Sequence, residues 1–212
     1  MVRRAELDDV LLVGHDWGGA LACDWAARHP DRVQGLAVFE TILRPMTWRD
    51  FPGAARDRIE SLRNPGSGET KVLDENFFIE RALRVTSLQP LSEQAWAVYA
   101  APYPTPASRR ALLAWPRQFP IEGDPADVHA RVVAYDDWLA ASAGVPKLLL
   151  TFAGPPDLLI IGADEVAWCR EHIADLEVAE CGPAGHLATE DRPTEIAAAI
   201  ETWATRHGLG GA

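Results

Sequence analysis

Apolar and polar residues follow each other along the first part of the chain in blocks that predict alternating strands and helices. The apolar run VLLVG at residues 10–14 predicts a buried strand, and the helical spacing of apolar residues from Leu21 predicts a helix that ends before Pro30. A second apolar run, VQGLAVFE at residues 33–40, predicts another strand. A strand, a helix and a strand in this order indicate a β-α-β unit, whose strands are parallel.

The middle of the chain follows a different pattern. Residues 44–124 contain short helical patterns, as at 74–83 and 92–99, separated by proline-rich stretches such as APYPTP. Clean two-residue alternation is absent from this part of the sequence. We therefore expect an irregular helical cap over residues 44–124, inserted into a core formed by residues 1–43 and 125–212.

Regular patterns return in the last third of the chain. Residues 126–142 form an amphipathic helical pattern, and the apolar segments 147–154 and 176–182 predict two further strands. Helical patterns at 163–173 and 194–207 follow these two strands. The order of elements predicts an α/β fold, with a mostly parallel sheet flanked by helices.

Composition and charge exclude several classes of protein. The 212 residues are 48% hydrophobic and 24% charged, which is typical of a globular domain rather than a disordered chain. The net charge of -11 disfavours nucleic acid and anionic membranes as partners. No apolar run approaches the roughly 20 residues of a membrane helix, and the N-terminus lacks the pattern of a secretory signal. Three cysteines without a CxxC pair predict reduced thiols in a cytoplasmic protein.

The strongest chemical signal is the hexapeptide GHDWGG at residues 14–19. It has the G-x-nucleophile-x-G form of a nucleophile elbow, with Asp16 in the place usually taken by serine. Such a turn requires small neighbours, projects the nucleophile from the strand end and directs the next backbone N–H towards the reacting centre. A glycine-rich turn in which Asp16 only caps the helix has the same pattern, but the strand-turn-helix setting favours a nucleophile.

A carboxylate nucleophile needs partners, because the ester that it forms must be hydrolysed. His186 lies in the glycine-rich loop GPAGH after an apolar strand, which is the position in chain order of a hydrolase base. The histidine needs an acid, and both Glu40 and Asp157 follow predicted strands. Position alone favours Asp157. The indole N–H of Trp17 is either a donor for a leaving anion or part of a packing residue.

Several segments of the chain together resemble the haloalkane dehalogenases. They are HDWGGALACDWAARHPDRVQGLAVFE, DENFFIE, PLSEQAWAVYAAPY, WPRQFPIEGDPADV, YDDWLAAS and GPAGHLATEDRPTEIAAAI. Phe39-Glu40 followed by RPMTW and Phe51-Pro52 is similar to the branch of this family whose catalytic acid is a glutamate. The resemblance covers nearly the whole chain and implies an α/β-hydrolase fold.

The resemblance also implies a role for individual residues. Asp16 would be the nucleophile, His186 the base and Glu40 the acid, which reverses the positional preference for Asp157. Trp17 would be a halide donor, and Phe78 would line the pocket from the cap. The implied reaction converts a small halogenated hydrocarbon to an alcohol and a halide ion, without a cofactor or metal.

The sequence departs from the family pattern before the elbow. Family members carry several strands there, whereas nine residues precede Val10. The resemblance therefore implies an N-terminally truncated sheet with its last four strands and an unpaired elbow strand at its edge. It also implies the loss of a loop that supplies an asparagine as second halide donor and completes the oxyanion hole, so we expect little activity from the chain as written.

Other functions remain open at this point. An epoxide hydrolase also uses an aspartate nucleophile but takes tyrosine donors from its cap, for which Tyr99, Tyr103 and Tyr135 are the candidates. A luciferase-like or non-catalytic relative would bind a ligand in the same pocket. An inactive fragment is the remaining alternative.

Overall fold

The chain forms one parallel sheet with helices on both faces. The structure is a computed structural model that describes residues 8–51 and 53–209, so Pro52 and the two ends of the expected core lie outside the described residues. Its strands are β1 (Val10–His15), β2 (Val33–Phe39), β3 (Lys147–Thr151) and β4 (Leu176–Glu180). They are hydrogen-bonded in parallel in the order β1-β2-β3-β4, with β1 at one edge of the described sheet.

Helices connect these strands and fill the segment between β2 and β3. The α-helices are α1 (Trp17–Arg28), α2 (Ala54–Arg63), α3 (Ser67–Glu69), α4 (Leu83–Val85), α5 (Glu93–Ala100), α6 (Arg110–Arg117), α7 (Ala126–Ala141), α8 (Ala163–His172), α9 (Ala188–Asp191) and α10 (Pro193–Arg206). Turns of 3-10 helix lie at Pro30–Arg32, Trp48–Asp50 and Pro156–Leu158, and π-helical segments at Thr70–Asp74 and Phe78–Ala82. The predicted α/β fold is confirmed by this arrangement.

The two faces of the sheet are covered by different helices. On one face, Leu36, Val38 and Leu149 pack with buried residues of α1, α7 and α8. On the other face, Ala37, Phe39, Leu148 and Leu150 pack against α10, whose Trp203 is fully buried. Successive strand residues point to opposite faces, so the continuous apolar runs of β2 and β3 are the pattern expected for a sheet buried on both sides.

One predicted element between β2 and α7 is wrong in detail. The single helix expected at 74–83 is interrupted at Asn76, which has a φ of 55° and separates the two π-helical segments. Asparagine adopts this left-handed conformation more readily than most residues, because its short side chain can hydrogen-bond locally. The pattern at 92–99 is confirmed as α5, whose N-cap Ser92 accepts a hydrogen bond from the backbone N–H of Ala95.

Among residues 8–51 and 53–209, no helix combines the length and apolar character needed to cross a membrane. Cys23, Cys169 and Cys181 are free thiols, and all three are buried.

Candidate active site

The junction between β1 and α1 is a strained turn centred on Asp16. Asp16 has a φ of 51° and a ψ of -131°, a conformation that non-glycine residues rarely adopt. Two hydrogen bonds hold it: the backbone N–H of Asp16 donates to the carbonyl oxygen of Glu40 at 3.1 Å, and the Thr41 hydroxyl donates to the carbonyl oxygen of Asp16 at 2.6 Å. Strain of this kind costs about 1–3 kcal/mol and persists only where surrounding contacts enforce it.

Close packing explains two of the glycines around this turn. A Cβ atom on Gly14 would lie 2.5 Å from the Cα of Gly19, and one on Gly19 would lie 2.4 Å from the Thr41 hydroxyl oxygen. A Cβ on Gly18 would meet no atom within 4 Å. The turn therefore requires Gly14 and Gly19 for steric reasons, whereas Gly18, the second glycine of the sequence motif, is not required by packing.

Three side chains predicted to act together meet at the carboxyl end of the sheet. His186 Nδ1 lies 3.1 Å from Glu40 Oε2, and His186 Nε2 lies 3.7 Å from Asp16 Oδ1. A carboxylate can only accept, so the neutral imidazole carries its proton on Nδ1 and leaves the Nε2 lone pair facing Asp16. His186 thus lies between the two carboxylates, hydrogen-bonded to Glu40 and close to Asp16, in the order expected of a catalytic triad.

Glu40 is buried and fully engaged. Its side chain is 1% exposed, and besides the contact with His186 it accepts hydrogen bonds from the backbone N–H groups of Ile160 at 2.8 Å and Ile161 at 3.1 Å. Asp157, the alternative acid, is exposed in the 3-10 turn Pro156–Leu158. The loop after β3 thus contributes two backbone amides to Glu40, while the carboxylate of Asp157 in the same loop faces solvent.

The environment shifts the titration of His186. Burial lowers its pKa, but the hydrogen bond to Glu40 and the negative charges of Asp16 and Glu40 outweigh burial, so that the pKa is raised above its usual value. Two of these raising contributions come from Glu40, and the third depends on Asp16 being ionised.

A residue that the sequence did not single out also contacts His186. His15, the last residue of β1, places its Nε2 2.7 Å from the carbonyl oxygen of His186, and its ring stacks on Phe39 at 5.0 Å. Because a carbonyl only accepts, His15 donates from Nε2. Burial, followed by the charge of His186, lowers the pKa of His15, which favours the neutral form of this ring. Its position at the end of β1, next to Asp16, was the available signal.

Trp17 and Phe78 lie in different apolar surroundings. The Trp17 ring packs against Trp115 at 5.2 Å and Phe119 at 5.5 Å, and its buried indole N–H finds no hydrogen-bond partner within the described part of the chain. Phe78 packs against Phe77 at 5.5 Å and joins a small cluster between β2 and α7 that contains Leu62, Val72 and Leu113. Trp17, the residue after Asp16 in the chain, therefore has a buried indole donor without a partner among the described residues, whereas the contacts of Phe78 lie within the 44–124 segment.

Comparison with known proteins agrees with the fold. Residues 2–117 match the family model described as "alpha/beta hydrolase fold". A haloalkane dehalogenase of Sphingobium indicum is 42% identical over 200 residues, which cover 94% of this chain and 65% of that protein. One of Mesorhizobium japonicum is also 42% identical, over 93% of this chain and 63% of that protein.

Solved structures give the same result. The haloalkane dehalogenase DatA from Agrobacterium tumefaciens C58 superimposes with a TM-score of 0.86 at 36% identity, over 95% of this chain and 68% of that one. The chain belongs to the haloalkane dehalogenase family of α/β-hydrolases. DbeA from Bradyrhizobium elkani USDA94, another haloalkane dehalogenase, superimposes with a TM-score of 0.86 at 40% identity, over 92% of this chain and 67% of that one. The chain spans about 65% of the length of the Sphingobium relative.

Proposed function

We propose that this chain carries the catalytic machinery of a haloalkane dehalogenase, a hydrolase of carbon–halogen bonds. A carboxylate oxygen of Asp16 attacks the carbon that bears the halogen, the carbon–halogen bond breaks, and the halide leaves with the bonding electrons. His186 Nε2 then takes a proton from water, and the resulting hydroxide attacks the carbonyl carbon of the Asp16 ester. The alcohol departs with the proton from His186, which leaves Asp16 as a carboxylic acid, and loss of that proton to solvent regenerates the carboxylate.

The electrostatics of the triad suit this sequence of steps. While Asp16 is ionised, its charge helps to raise the pKa of His186. Conversion of Asp16 to a neutral ester removes that contribution, so the pKa of His186 falls at the stage where an unprotonated base is needed. Glu40, fixed by the amides of Ile160 and Ile161, stabilises the imidazolium that then forms.

The observation that carries the proposal is the free indole N–H of Trp17 directly after the nucleophile. It is buried and has no partner among the described residues. A buried donor without a partner usually lowers the free energy of unfolding by about 1–3 kcal/mol. A halide ion that leaves a carbon attacked by Asp16 would accept a hydrogen bond from this indole N–H. An ester or amide hydrolase would not require such a donor.

The tyrosines give less support to epoxide opening. The Tyr135 hydroxyl is buried and donates to the carbonyl oxygen of Ile42 at 2.8 Å. The Tyr99 hydroxyl donates to the carboxylate of Glu190. Both hydroxyls are thus engaged away from Asp16, which leaves Tyr103 as the remaining candidate for a paired tyrosine site.

The proposal includes the role of the segment between β2 and α7. Residues 44–124 would form the cap over a core of residues 1–43 and 125–212, and Phe78 would contribute to the substrate pocket from the cap side. The substrates would be small halogenated hydrocarbons, because a neutral substrate leaves the contact of His186 with Asp16 and Glu40 undisturbed. A cytoplasmic location fits three free, buried cysteines.

Trapping of the ester tests the proposal directly. His186→Phe should still be alkylated by bromobutane, because the first step does not use the base, but it should not hydrolyse the ester. Intact-mass measurement should therefore show one butyl group, and peptide mapping should place it on Asp16. Asp16→Ala in the same background should give an unmodified mass, and free bromide should rise in step with the adduct.

Two chains make the result decisive. The experiment is carried out on the 212-residue chain and on a fusion that adds, before Val10, the strands preceding the elbow in the Sphingobium relative. An adduct on Asp16 in either chain supports the proposal. A folded His186→Phe protein that remains unmodified in both chains contradicts it, and preferential opening of styrene oxide would assign the site to the epoxide hydrolases.

A further inference from the structure

The loop that carries His186 is attached to the 44–124 segment on both sides of the histidine. The backbone N–H of Leu187 donates to the carbonyl oxygen of Thr86 at 2.9 Å. On the other side, a Cβ on Gly185 would lie only 2.4 Å from that same carbonyl oxygen. The His186 loop and the backbone around Thr86 are therefore in direct contact.

A single carboxylate ties these two pieces of backbone together. Asp191, the last residue of α9, accepts on Oδ2 from the N–H of Leu88 at 2.8 Å and from the N–H of Gly185 at 2.9 Å. Its Oδ1 accepts from the N–H of Gln89 at 2.9 Å. Hydrogen bonds to a charged acceptor are roughly twice as strong as neutral ones, and three on one half-buried side chain fix its position closely.

We propose that Asp191 is a positioning residue for His186, acting through the loop backbone and fixing that loop to residues 86–89. The proposal rests on the function proposed above, since its consequence is for the base. With the Asp191 contacts formed, His186 is held in place to bond Glu40 through Nδ1. When they are lost, the segment 86–89 and the His186 loop separate, and the hydrolytic step slows while alkylation of Asp16 continues.

Two variants of Asp191 separate this role from general destabilisation. Asp191→Ala removes all three acceptor contacts. Asp191→Asn can retain the two contacts on the oxygen shared by Leu88 and Gly185 if its amide nitrogen faces Gln89. The matched control is Glu190→Gln, which removes the same charge from the same short helix but interrupts a contact with Tyr99 rather than with the His186 loop.

The first measurement does not depend on activity. In the folded 212-residue chain, NMR titration of His186 should show a lower pKa in Asp191→Ala than in the parent, because a loosened loop weakens the hydrogen bond to Glu40. The amides of Leu88 and Gln89 should exchange faster with solvent. Asp191→Asn should lie between the two, and Glu190→Gln should match the parent in both measurements.

The second measurement follows the two half-reactions with bromobutane. Asp191→Ala should form the Asp16 ester at the parent rate and hydrolyse it about a hundredfold more slowly, the order of loss that a small misplacement of a catalytic group produces. Asp191→Asn should be less affected. An unchanged His186 titration together with unchanged ester hydrolysis in folded Asp191→Ala would overturn the inference. A parent that never forms the ester, either as the 212-residue chain or as the fusion, would instead count against the proposed function, and the titration would still decide the role of Asp191.

Discussion

Exchange of Glu40 for glutamine tests the most constrained side chain of the site. Oε2 of Glu40 accepts from Ile160 N–H and faces His186 Nδ1, while Oε1 accepts from Ile161 N–H. Glutamine offers one oxygen and one NH2 group. With its oxygen in the Oε2 position, the NH2 group opposes the N–H of Ile161. With its oxygen in the Oε1 position, the NH2 group opposes both the N–H of Ile160 and His186.

The magnitude follows from this inventory of contacts. Even the better orientation loses one hydrogen bond to a charged acceptor and leaves a backbone donor unpaired beside a side chain that is 1% exposed. Hydrogen bonds to charged groups contribute about 1.5–3 kcal/mol, so we expect Glu40→Gln to lower the free energy of unfolding by about 2–3 kcal/mol. The matched control, Asp157→Asn, changes an exposed carboxylate and should remain within about 0.5 kcal/mol of the parent.

The same substitution changes the pH dependence of stability. The pKa of His186 is raised in the folded chain, so its protonation contributes stability that is fully present below the unfolded-state pKa of roughly 6.5. This contribution is lost as the pH rises through the folded-state pKa of His186. Glu40→Gln removes two of the causes that raise this pKa, so the decline in stability with rising pH should become smaller.

Urea unfolding at several pH values and NMR titration of His186 measure both effects. The expected result is a lower midpoint, a lower pKa of His186 and a smaller pH dependence for Glu40→Gln, with Asp157→Asn close to the parent. If Asp157→Asn were the more damaging of the two, in stability or in ester hydrolysis, the assignment of the acid to Glu40 would be wrong.

Three further predictions concern other parts of the molecule. Lys147 is 1% exposed and donates to the carbonyl oxygens of Ser142, Val145 and Ala174. Urea titration should therefore show that Lys147→Met lowers the free energy of unfolding by about 3 kcal/mol. The control is Lys71→Met, at a half-buried lysine of the segment Thr70–Asp74, which should lower it much less. His15→Phe keeps the ring but removes the donor to the His186 carbonyl, and single-turnover measurement should show ester hydrolysis slowed roughly fivefold with alkylation unchanged. The 212-residue chain leaves Val13 51% exposed on the edge strand β1, so light scattering should show self-association and bromide release should be slow. The fusion described above should be monomeric and release bromide roughly a hundredfold faster. A 212-residue chain that is monomeric and equally fast would contradict this prediction.

The sequence alone predicted the elements that are encoded locally. The run at 10–14, the GHDWGG turn and the loop before His186 each contain their own signal, and the structure brings Asp16 and His186 to one end of the sheet. Choice of the acid depended on information that is not local. Glu40 and Asp157 both follow strands, and what distinguishes them is the return of the Ile160 and Ile161 amides to Glu40. Backbone donors have no side-chain signature, so only the family resemblance pointed to Glu40.

His15 and Asp191 illustrate the same limit. The sequence did not single out His15, because its partner is a backbone carbonyl 171 residues away in the chain. Asp191 lies in a short helix where an acid is unremarkable, and its three donors come from two separate segments. Both sets of contacts depend on how distant segments of the chain pack together, which no periodicity encodes.

The register of β1 and β2 explains why the strained residues of the site occur as a pair. His15 pairs with Phe39, so Asp16 and Glu40 leave the sheet side by side, with φ values of 51° and 46°. The hydrogen bond from Asp16 N–H to the Glu40 carbonyl joins the two turns and occupies the amide of the nucleophile itself. The first amide left for negative charge developing at the reaction centre is therefore that of Trp17, at the N-terminus of α1, where N–H groups lack partners within the helix and the helix dipole favours an anion. Under the proposed mechanism, Trp17 would contribute a backbone donor for the oxyanion of the second step as well as an indole donor for the halide of the first, so both half-reactions would depend on the same strained turn.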